Sequence, residues 1–283
     1  MSEGTFESVG GIKIFWRSWM PETAPRGVVA LVHGFNAHSG YMQWTGEQFQ
    51  KSGFAAYALD LRGRGKSEGE RYYINDFSEY LDDLDGLVKM ARAEVPGVPL
   101  FILGHSAGGV ISSEYTYAHQ SDIAGLVCES FAYDVGVPDA AALLLKGLSH
   151  IAPHLHVFTL KNEWFSRDPA VVSAMNSDPL IANESQPTET ATQMLQAAAR
   201  LDKHFPDIKV PLLIIHGTAD KATRPAGSQR FYDMAGSGDK TLKLYEGHYH
   251  DLLNDIGKEE VMADILAWVE ARLPARTGAS TSA

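Results

Sequence analysis

A serine enclosed by glycines stands between two apolar segments near the middle of the chain. The pentapeptide Gly104-His-Ser-Ala-Gly108 follows the apolar run 99–103 and precedes Gly109-Val-Ile111. A strand before it and a helix after it would place Ser106 on a sharp, strained turn, where side chains at 104 and 108 would collide with neighbouring chain. Because a serine hydroxyl is a weak nucleophile at neutral pH, it needs a base and an acid that orients the base.

An acid that suits this serine follows a later apolar run. Asp220 ends the segment His216-Gly-Thr-Ala-Asp220, which comes directly after the run 212–215 and so lies at a predicted strand end. Glu129 also follows a predicted strand and is the rival acid. We favour Asp220 because its loop lies between the final two predicted strands.

Two histidines near the end of the chain are candidates for the base. His248 and His250 follow the predicted strand 242–246, and because they are two residues apart only one of them can point into the site. Spacing alone leaves this choice open. Other histidines at strand ends are interpreted as structural hydrogen-bonding residues: His33, His105 and His216. The pairs His154/His156 and His248/His250 lack a cysteine or carboxylate at matching spacing, so no metal site is predicted.

A tetrahedral intermediate of acyl transfer needs two N–H donors for its oxyanion. One is expected from Ala107, the residue after the nucleophile, at the start of the predicted helix. The second is expected from Phe35, in the segment His33-Gly-Phe35 that follows the predicted strand 28–32. Gly34 would let the backbone approach the site.

The candidate residues follow apolar, β-rich runs bounded by turn residues. Continuous runs of this kind are typical of parallel strands covered on both faces. The predicted strands are 12–16, which closes an N-terminal hairpin, 28–32, 54–59, 100–103, 123–128, 212–215 and 242–246. The predicted helices are 80–93, 110–119, 190–201 and 256–273. Their alternation predicts an α/β fold with a mostly parallel central sheet and helices on both faces.

The alternation stops between about 132 and 205, where no strand is predicted. An apolar stretch at 140–160 and the helical segment 190–201 indicate a helical insertion over the carboxyl ends of the strands, where open α/β sheets place their sites. Most of its leucines are expected to pack a small core of the insertion. A minority of apolar residues is expected to line a substrate channel: Leu144, Leu148, Trp164 and Phe165.

The domain prediction follows from this interruption. A discontinuous core is expected at 1–131 and 206–274, with a helical cap or lid at 132–205. The tail 275–283 has no apolar periodicity and is expected to be disordered.

The composition and charge of the chain indicate which binding partners and which cellular compartment to expect. The 283 residues are 45% hydrophobic and 21% charged, as in ordinary globular proteins, and carry a net charge of −11. That charge disfavours nucleic acid and anionic membranes, and no stretch approaches a membrane span. The single cysteine, Cys128, lies in an apolar run and is expected in the core. With one cysteine and no signal-peptide pattern, a cytoplasmic protein is expected, and the oligomeric state stays open.

Motifs along the chain resemble the monoacylglycerol lipase and lysophospholipase branch of the serine α/β-hydrolases. The similarity extends from about residue 5 to 273 and includes the insertion. Its motifs are Leu31-Val-His-Gly34 with His38-Ser39, Asp60-Leu-Arg-Gly63 with Gly65-Lys-Ser-Glu-Gly69, Gly104-His-Ser-Ala-Gly-Gly109, Ser166-Arg-Asp-Pro169, Ser177-Asp-Pro-Leu180, His216-Gly-Thr-Ala-Asp220 and Tyr249-His-Asp-Leu-Leu253. The order of serine, aspartate and histidine is also that of α/β-hydrolases.

The resemblance implies an α/β-hydrolase fold and a serine hydrolase that acts on acyl esters without a cofactor, beneath a mobile helical cap. Carried over to this sequence, it implies Ser106 as nucleophile, Asp220 as acid and His250 as base. It also implies Phe35 and Ala107 as the oxyanion hole. The expected partner is a small-molecule acyl ester, with transient contact to a lipid surface through the cap.

Four departures from the family pattern bear on the substrate. Ala37 stands where the family usually has an acidic residue, and Arg64 where it usually has histidine. His248 replaces a commonly apolar neighbour of the base, and the cap segment 183–187 has little family character.

The combined pattern predicts a carboxylic-ester hydrolase that forms an acyl-enzyme on Ser106, acting on a monoacylglycerol, a lysophospholipid or a similar apolar ester. An acyltransferase, a thioesterase or an amidase on the same triad is the alternative. A receptor that kept the fold is disfavoured because it would not need all three triad residues. Dehalogenases and epoxide hydrolases are disfavoured because they use an aspartate nucleophile where this chain has Ser106.

Overall fold

A central sheet positions the candidate residues. Within residues 1–274, which the computed structural model describes, eight strands form this sheet and two short strands form a separate ribbon. The tail predicted to be disordered, 275–283, lies outside the described residues. The strands are β1 Ser2–Glu7, β2 Lys13–Trp19, β3 Val28–Val32, β4 Ala55–Leu59, β5 Leu100–His105, β6 Gly125–Glu129, β7 His156–Phe158, β8 Gln186–Pro187, β9 Leu212–Gly217 and β10 Lys240–Tyr245.

The strand order is β1-β2-β4-β3-β5-β6-β9-β10. The six strands from β4 to β10 run parallel, whereas β1 and β2 form the predicted hairpin and join β4 antiparallel. Val32 of β3 pairs with Gly104 of β5, and His105 pairs with Glu129 of β6. The segments that follow these strands therefore leave the sheet at the same edge.

Helices cover both faces of the sheet. Their bounds are α1 Gln43–Lys51, α2 Ser78–Glu94, α3 Ala107–Ala118, α4 Asp139–Ser149, α5 Pro169–Ser177, α6 Thr188–His204, α7 Pro225–Met234 and α8 Lys258–Glu270. Along β3, Val28, Ala30 and Val32 pack into one apolar cluster with α2 and α3, while Val29 and Leu31 pack into a second with α1 and α8. This alternation explains why the strand has no polar face, and it confirms the predicted fold class.

The region predicted as a cap, 132–205, contains α4, α5 and α6 together with the ribbon of β7 and β8. The prediction of no strand in this region is wrong, since β7 and β8 pair here. The sequence did not reveal them because strands of three and two residues are too short to show an apolar period. The inner side of α6 does not form a separate core but joins the cluster that contains α3. Among residues 1–274, no helix is both long and apolar enough to cross a bilayer.

The leucines of α4 do not pack as predicted. Leu143 and Leu144 are 72% and 73% exposed, so the expectation that most of these leucines fill a core of the insertion is wrong for α4. A small cluster inside the region forms instead around Phe165, Met175 and Ile181. Cys128 is buried in the main core, as predicted.

Candidate active site

Ser106 lies on the sharp turn between β5 and α3. Its backbone has φ 55° and ψ −119°, a strained conformation for a residue with a side chain. A Cβ at Gly104 would meet the carbonyl oxygen of Gly108, and one at Gly108 would meet the carbonyl oxygen of Val32. The glycines are therefore required by the close approach of β3, the turn and the first turn of α3.

Three side chains that follow parallel strands of the central sheet form one hydrogen-bonded series. The Nε2 atom of His250 lies 2.8 Å from Oγ of Ser106, and its Nδ1 atom lies 2.7 Å from Oδ2 of Asp220. Ser106 follows β5, Asp220 follows β9 and His250 follows β10. Since Nδ1 donates to the carboxylate, Nε2 is free to accept the proton of the serine hydroxyl.

The carboxylate of Asp220 is held by several donors besides His250. The backbone N–H groups of Ala222 and Thr223 donate to its Oδ1, and Nε2 of His216 lies 2.9 Å from its Oδ2. Burial opposes the negative charge, but His250 and the hydrogen bonds from His216 and His250 outweigh it and lower the pKa of Asp220. The carboxylate therefore stays ionised while it orients the base.

His250 is buried and also contacts the region predicted as a cap. The ring of Phe165 meets it edge-on, with centroids 5.0 Å apart. The backbone N–H groups of His250 and Asp251 donate to the carbonyl oxygens of Trp164 and Phe165 at 3.3 and 2.8 Å. Burial lowers the pKa of His250 although Asp220 opposes this, so the ring is neutral near pH 7 and able to take a proton.

The two residues predicted to supply the oxyanion hole border the cavity that Ser106 faces. Ala107 is the first residue of α3, so its N–H has no acceptor within the helix. Phe35 borders the same cavity as Ser106 and Ala107. A Cβ at Gly34 would lie only 2.7 Å from Cβ of Ser106, so this glycine lets the loop that carries Phe35 reach the serine.

A cavity of about 250 Å³ opens beside Ser106. Core residues such as Phe35 and Ala107 form its floor, and cap residues such as Leu145 and Met194 form its walls. Among the described residues that line it, the polar side chains are those of Ser106, Gln186 and Thr223, and the others are apolar. An apolar chain with a reactive carbonyl at one end suits this cavity.

Comparison with known proteins places the chain in a family. The sequence matches the family described as serine aminopeptidase, S33 over residues 23–257. The chain belongs to this family. The predicted resemblance to the monoacylglycerol lipase branch is confirmed, and the chain is a serine hydrolase.

Similar members of the branch match over nearly their whole length. The chain is 34% identical over 274 residues to a monoacylglycerol lipase of Mycolicibacterium smegmatis, covering 96% of this chain and 98% of that protein. It is 32% identical over 268 residues to the human monoglyceride lipase, covering 93% and 88%. The crystal structure of a monoacylglycerol lipase from Paleococcus ferrophilus superposes with a TM-score of 0.82 at 30% identity, covering 92% of this chain and 99% of that one.

The four residues predicted to line the substrate channel lie elsewhere in this family member. Among residues 1–274, those that line the cavity do not include Leu144, Leu148, Trp164 or Phe165. Ala141 and Leu145, one helical turn apart, line it from α4, whereas Leu144 is 73% exposed and Leu148 is half-buried. Trp164 and Phe165 contact the loop of the base instead.

The rival acid, Glu129, and the rival base, His248, have other contacts. Glu129 makes no hydrogen bond to His250; its Oε1 accepts the N–H of Leu253 and its Oε2 lies 3.5 Å from Nδ1 of His105. His248 stacks on Tyr245 with ring centroids 5.5 Å apart.

Two departures from the family pattern meet at the cavity wall. Arg64, fully buried, forms an ion pair with Glu184, and its Nη2 donates to Oε1 of Gln186 at 2.6 Å. The guanidinium also lies 4.1 Å from the ring centroid of Phe35. Arginine at 64 and the unusual segment 183–187 are therefore parts of one contact between core and cap, which sequence reasoning noted separately and did not connect.

Proposed function

We propose that this serine hydrolase cleaves carboxylic esters through an acyl-enzyme on Ser106, with His250 as base and Asp220 as acid. The observation that carries the proposal is the continuous series of hydrogen bonds, 2.7 and 2.8 Å long, that ends at a serine facing an apolar cavity. The backbone N–H groups of Phe35 and Ala107 supply the oxyanion hole.

The reaction follows from this geometry. His250 Nε2 takes the proton of Ser106 Oγ as Oγ attacks the ester carbonyl carbon, and the N–H groups of Phe35 and Ala107 stabilise the oxyanion. The intermediate collapses, the ester C–O bond breaks and His250 returns the proton to the leaving alcohol. Water then attacks the acyl-enzyme and gives a proton to His250. The bond between Oγ of Ser106 and the acyl carbon breaks, His250 returns the proton to Oγ, and the carboxylic acid leaves.

Monoacylglycerols are the substrates that we propose. The relatives described above are monoacylglycerol lipases, and the apolar cavity beside Ser106 suits a fatty acyl chain. Among the described residues that line the cavity, none is lysine or arginine, so nothing there would pair with the phosphate of a lysophospholipid. A neutral glycerol ester therefore fits better than a phosphate ester.

We also propose that the cap contacts a lipid surface transiently. Val137, Val157 and Phe158 line the cavity and are also 38%, 44% and 36% exposed, so the cavity opens within an apolar surface. Leu144 and Ile151 extend that surface, with 73% and 84% exposure. Apolar groups around a cavity mouth suit a substrate that is delivered from a membrane.

The first prediction concerns the nucleophile. Ser106→Ala should abolish turnover of a monoacylglycerol and labelling by a fluorophosphonate probe, because among the described residues Ser106 is the cavity-lining hydroxyl bonded to Nε2 of His250. Ser173→Ala, at an exposed serine of α5, is the matched control and should behave as wild type. Retained turnover or labelling in Ser106→Ala would overturn the assignment.

The substrate is tested with the same wild-type protein. The kcat/KM values for monoacylglycerols, lysophospholipids and short aryl esters are compared, and the highest value is expected for a monoacylglycerol. Product analysis with an added alcohol separates hydrolysis from acyl transfer on the same triad. Faster turnover of lysophospholipids would contradict the argument from the uncharged cavity.

A further inference from the structure

A second group of titratable side chains lies beneath the base. His105 ends β5, Glu129 ends β6 beside it in register, and Asp251 follows His250. One ligand atom from each of the three side chains lies within 4.8 Å of the others. All three residues are buried, with exposures of 1%, 0% and 6%. This group is called the His105 cluster below.

The hydrogen bonds in the His105 cluster leave two carboxylates in need of a positive charge. Glu129 accepts the backbone N–H of Leu253 at 3.1 Å, and both oxygens of Asp251 accept from Nδ2 of Asn254. Within the described residues, the two imidazole nitrogens of His105 have no hydrogen-bond partner, and Nδ1 lies 3.5 Å from Oε2 of Glu129. Buried carboxylates are stable only when paired or neutralised, and His105 is the cation within reach.

Both protonation states agree with this account. Burial lowers the pKa of His105, but Glu129 and Asp251 outweigh it and raise the pKa to about 9. Burial raises the pKa of Asp251 to about 6. His105 therefore carries a proton throughout the range in which His250 must lose one.

The imidazole of His105 lies directly against that of His250. The two ring centroids are 4.8 Å apart, with the planes at 57°. The titratable groups around His250 come from every neighbouring strand end and from its own loop: His105, Glu129, His216, Asp220 and Asp251. Of these, Asp220 favours a charged His250, whereas His105 and His216 oppose it.

Resting on the proposed role of His250 as base, we propose that His105 is a positioning residue: its buried positive charge, held by Glu129 and Asp251, keeps His250 unprotonated below neutral pH. Like charges at this separation in a buried site disfavour each other strongly. Glu129, the rival acid by sequence, thus acts on the base through His105 rather than as a member of the triad.

The experiment is the pH dependence of kcat/KM in His105→Gln. The acid limb, where activity falls as His250 becomes protonated, should move to higher pH by about one unit. At one pH unit below the wild-type limb, this lowers kcat/KM about tenfold relative to wild type. His154→Gln is the matched control, at an exposed histidine of the cap that is paired with Glu70 of the core. It should leave the acid limb at the wild-type pH.

Each outcome decides the inference. A folded His105→Gln protein whose acid limb stays at the wild-type pH overturns it, and so does an equal shift in His154→Gln. If His105→Gln does not fold, His105→Gln/Glu129→Gln should move the limb in the same direction by less, because loss of the Glu129 carboxylate offsets part of the effect; an unmoved limb in this variant also overturns the inference. Imidazole NMR titration of the wild-type protein provides a readout independent of variants: a neutral His105 at pH 7 overturns the inference.

Failure of the proposed function would look different. Turnover that survives in Ser106→Ala contradicts the triad whatever the pH profile. An unshifted limb in an enzyme whose turnover depends on Ser106 contradicts only the role of His105.

Discussion

Asp220 accepts hydrogen bonds from two imidazoles at once. His250 and His216 both lie within 2.9 Å of its Oδ2, and Nδ1 of His216 lies 2.7 Å from Oγ of Ser228. His216 was interpreted from the sequence as a structural hydrogen-bonding residue, and its contacts agree with that interpretation. It therefore holds the same carboxylate oxygen that His250 contacts.

His33 gives a prediction about stability. Its Nδ1 donates to the carbonyl oxygen of Gly34 at 2.7 Å and its Nε2 accepts the N–H of Leu61 at 3.0 Å, so the buried ring is neutral. Burial lowers the pKa of His33 to about 3, against 6.5 for an ordinary histidine. Between pH 6.5 and 3 the unfolded chain therefore binds a proton at His33 that the folded protein does not bind. The free energy of unfolding is largest above pH 6.5 and decreases as the pH falls towards 3.

The loss from His33 amounts to at most about 1.4 kcal/mol per pH unit in that range. It is measured as the free energy of unfolding in urea at several pH values. In His33→Gln the slope should be shallower than in wild type, whereas His156→Gln, at an exposed histidine, should keep the wild-type slope. Parallel slopes for His33→Gln and wild type would contradict the neutral ring.

Residue types near strand ends identified Ser106 and Asp220 in the sequence and reduced the base to His248 or His250, because each follows an apolar run. The choice of His250 came from the family resemblance. The role of His105 could not be read in this way. Its importance depends on the register that pairs it with Glu129 and on the approach of Asp251 from a loop more than a hundred residues later in the chain. Distances of that kind have no signal in local sequence.

At the scale of elements, the loop after β3 is limited by the space beside the turn of β5 and α3. A Cβ at Gly34 would lie 2.7 Å from Cβ of Ser106 and 3.0 Å from the carbonyl oxygen of His105. Neither neighbour is a flexible chain end, so the loop itself would have to shift and would carry the N–H of Phe35 away from the oxyanion.

Gly34→Ala should therefore lower kcat/KM by about a hundredfold, the usual cost of a displacement near 1 Å at a reacting centre. Gly147→Ala is the matched control, because a Cβ there meets nothing within 4 Å and α4 should gain a few tenths to about 1 kcal/mol of stability. Ester turnover and urea unfolding are measured for both variants. Unchanged turnover in Gly34→Ala would contradict the proposed position of the Phe35 donor.

The central strands were predictable because both faces of each are buried. The bounds of β3 agree with the predicted run 28–32, and β4 differs from its prediction by one residue. The helices α1 and α7 gave weaker signals because each buries only one large apolar residue, Phe49 in α1 and Phe231 in α7. In α4 the leucines at 143, 144, 145 and 148 occupy several sides of the helix, so the sequence did not define which side faces the cavity.

At the scale of the whole molecule, core and cap meet through polar contacts as well as apolar ones. Arg64 binds Glu184 and Gln186, His38 lies 2.9 Å from Asp178, and Asn36 donates to the carbonyl oxygen of Leu160. All of the core residues in these contacts follow β3 or β4. The cap is therefore anchored beside the oxyanion loop, while α4 and β7 expose apolar residues.

The exposed side of the cap gives the prediction about membranes. Leu144→Gln/Ile151→Gln should weaken binding to neutral phosphatidylcholine vesicles about tenfold or more, because each side chain contributes about 1–3 kcal/mol when buried in lipid. Turnover of a water-soluble aryl ester should not change. Val9→Gln, at a 61% exposed apolar residue outside the cap, is the control.

Vesicle binding is measured by co-sedimentation. Because the net charge is −11, anionic lipid should not strengthen binding. Equal vesicle binding by the double variant and wild type would contradict the proposed contact between the cap and lipid.

The backbone contact between the cap and the loop of the base constrains how substrate enters. Trp164 and Phe165 are bonded to His250 and Asp251, and Arg167 is paired with Asp255 at 2.7 Å. If segment 164–167 moved away from the core, His250 would lose its alignment. The cap therefore cannot open on that side while the enzyme turns over. We therefore expect segment 164–167 of the cap to stay in place during turnover. Esters should enter past α4 and β7, on the other side of the cap.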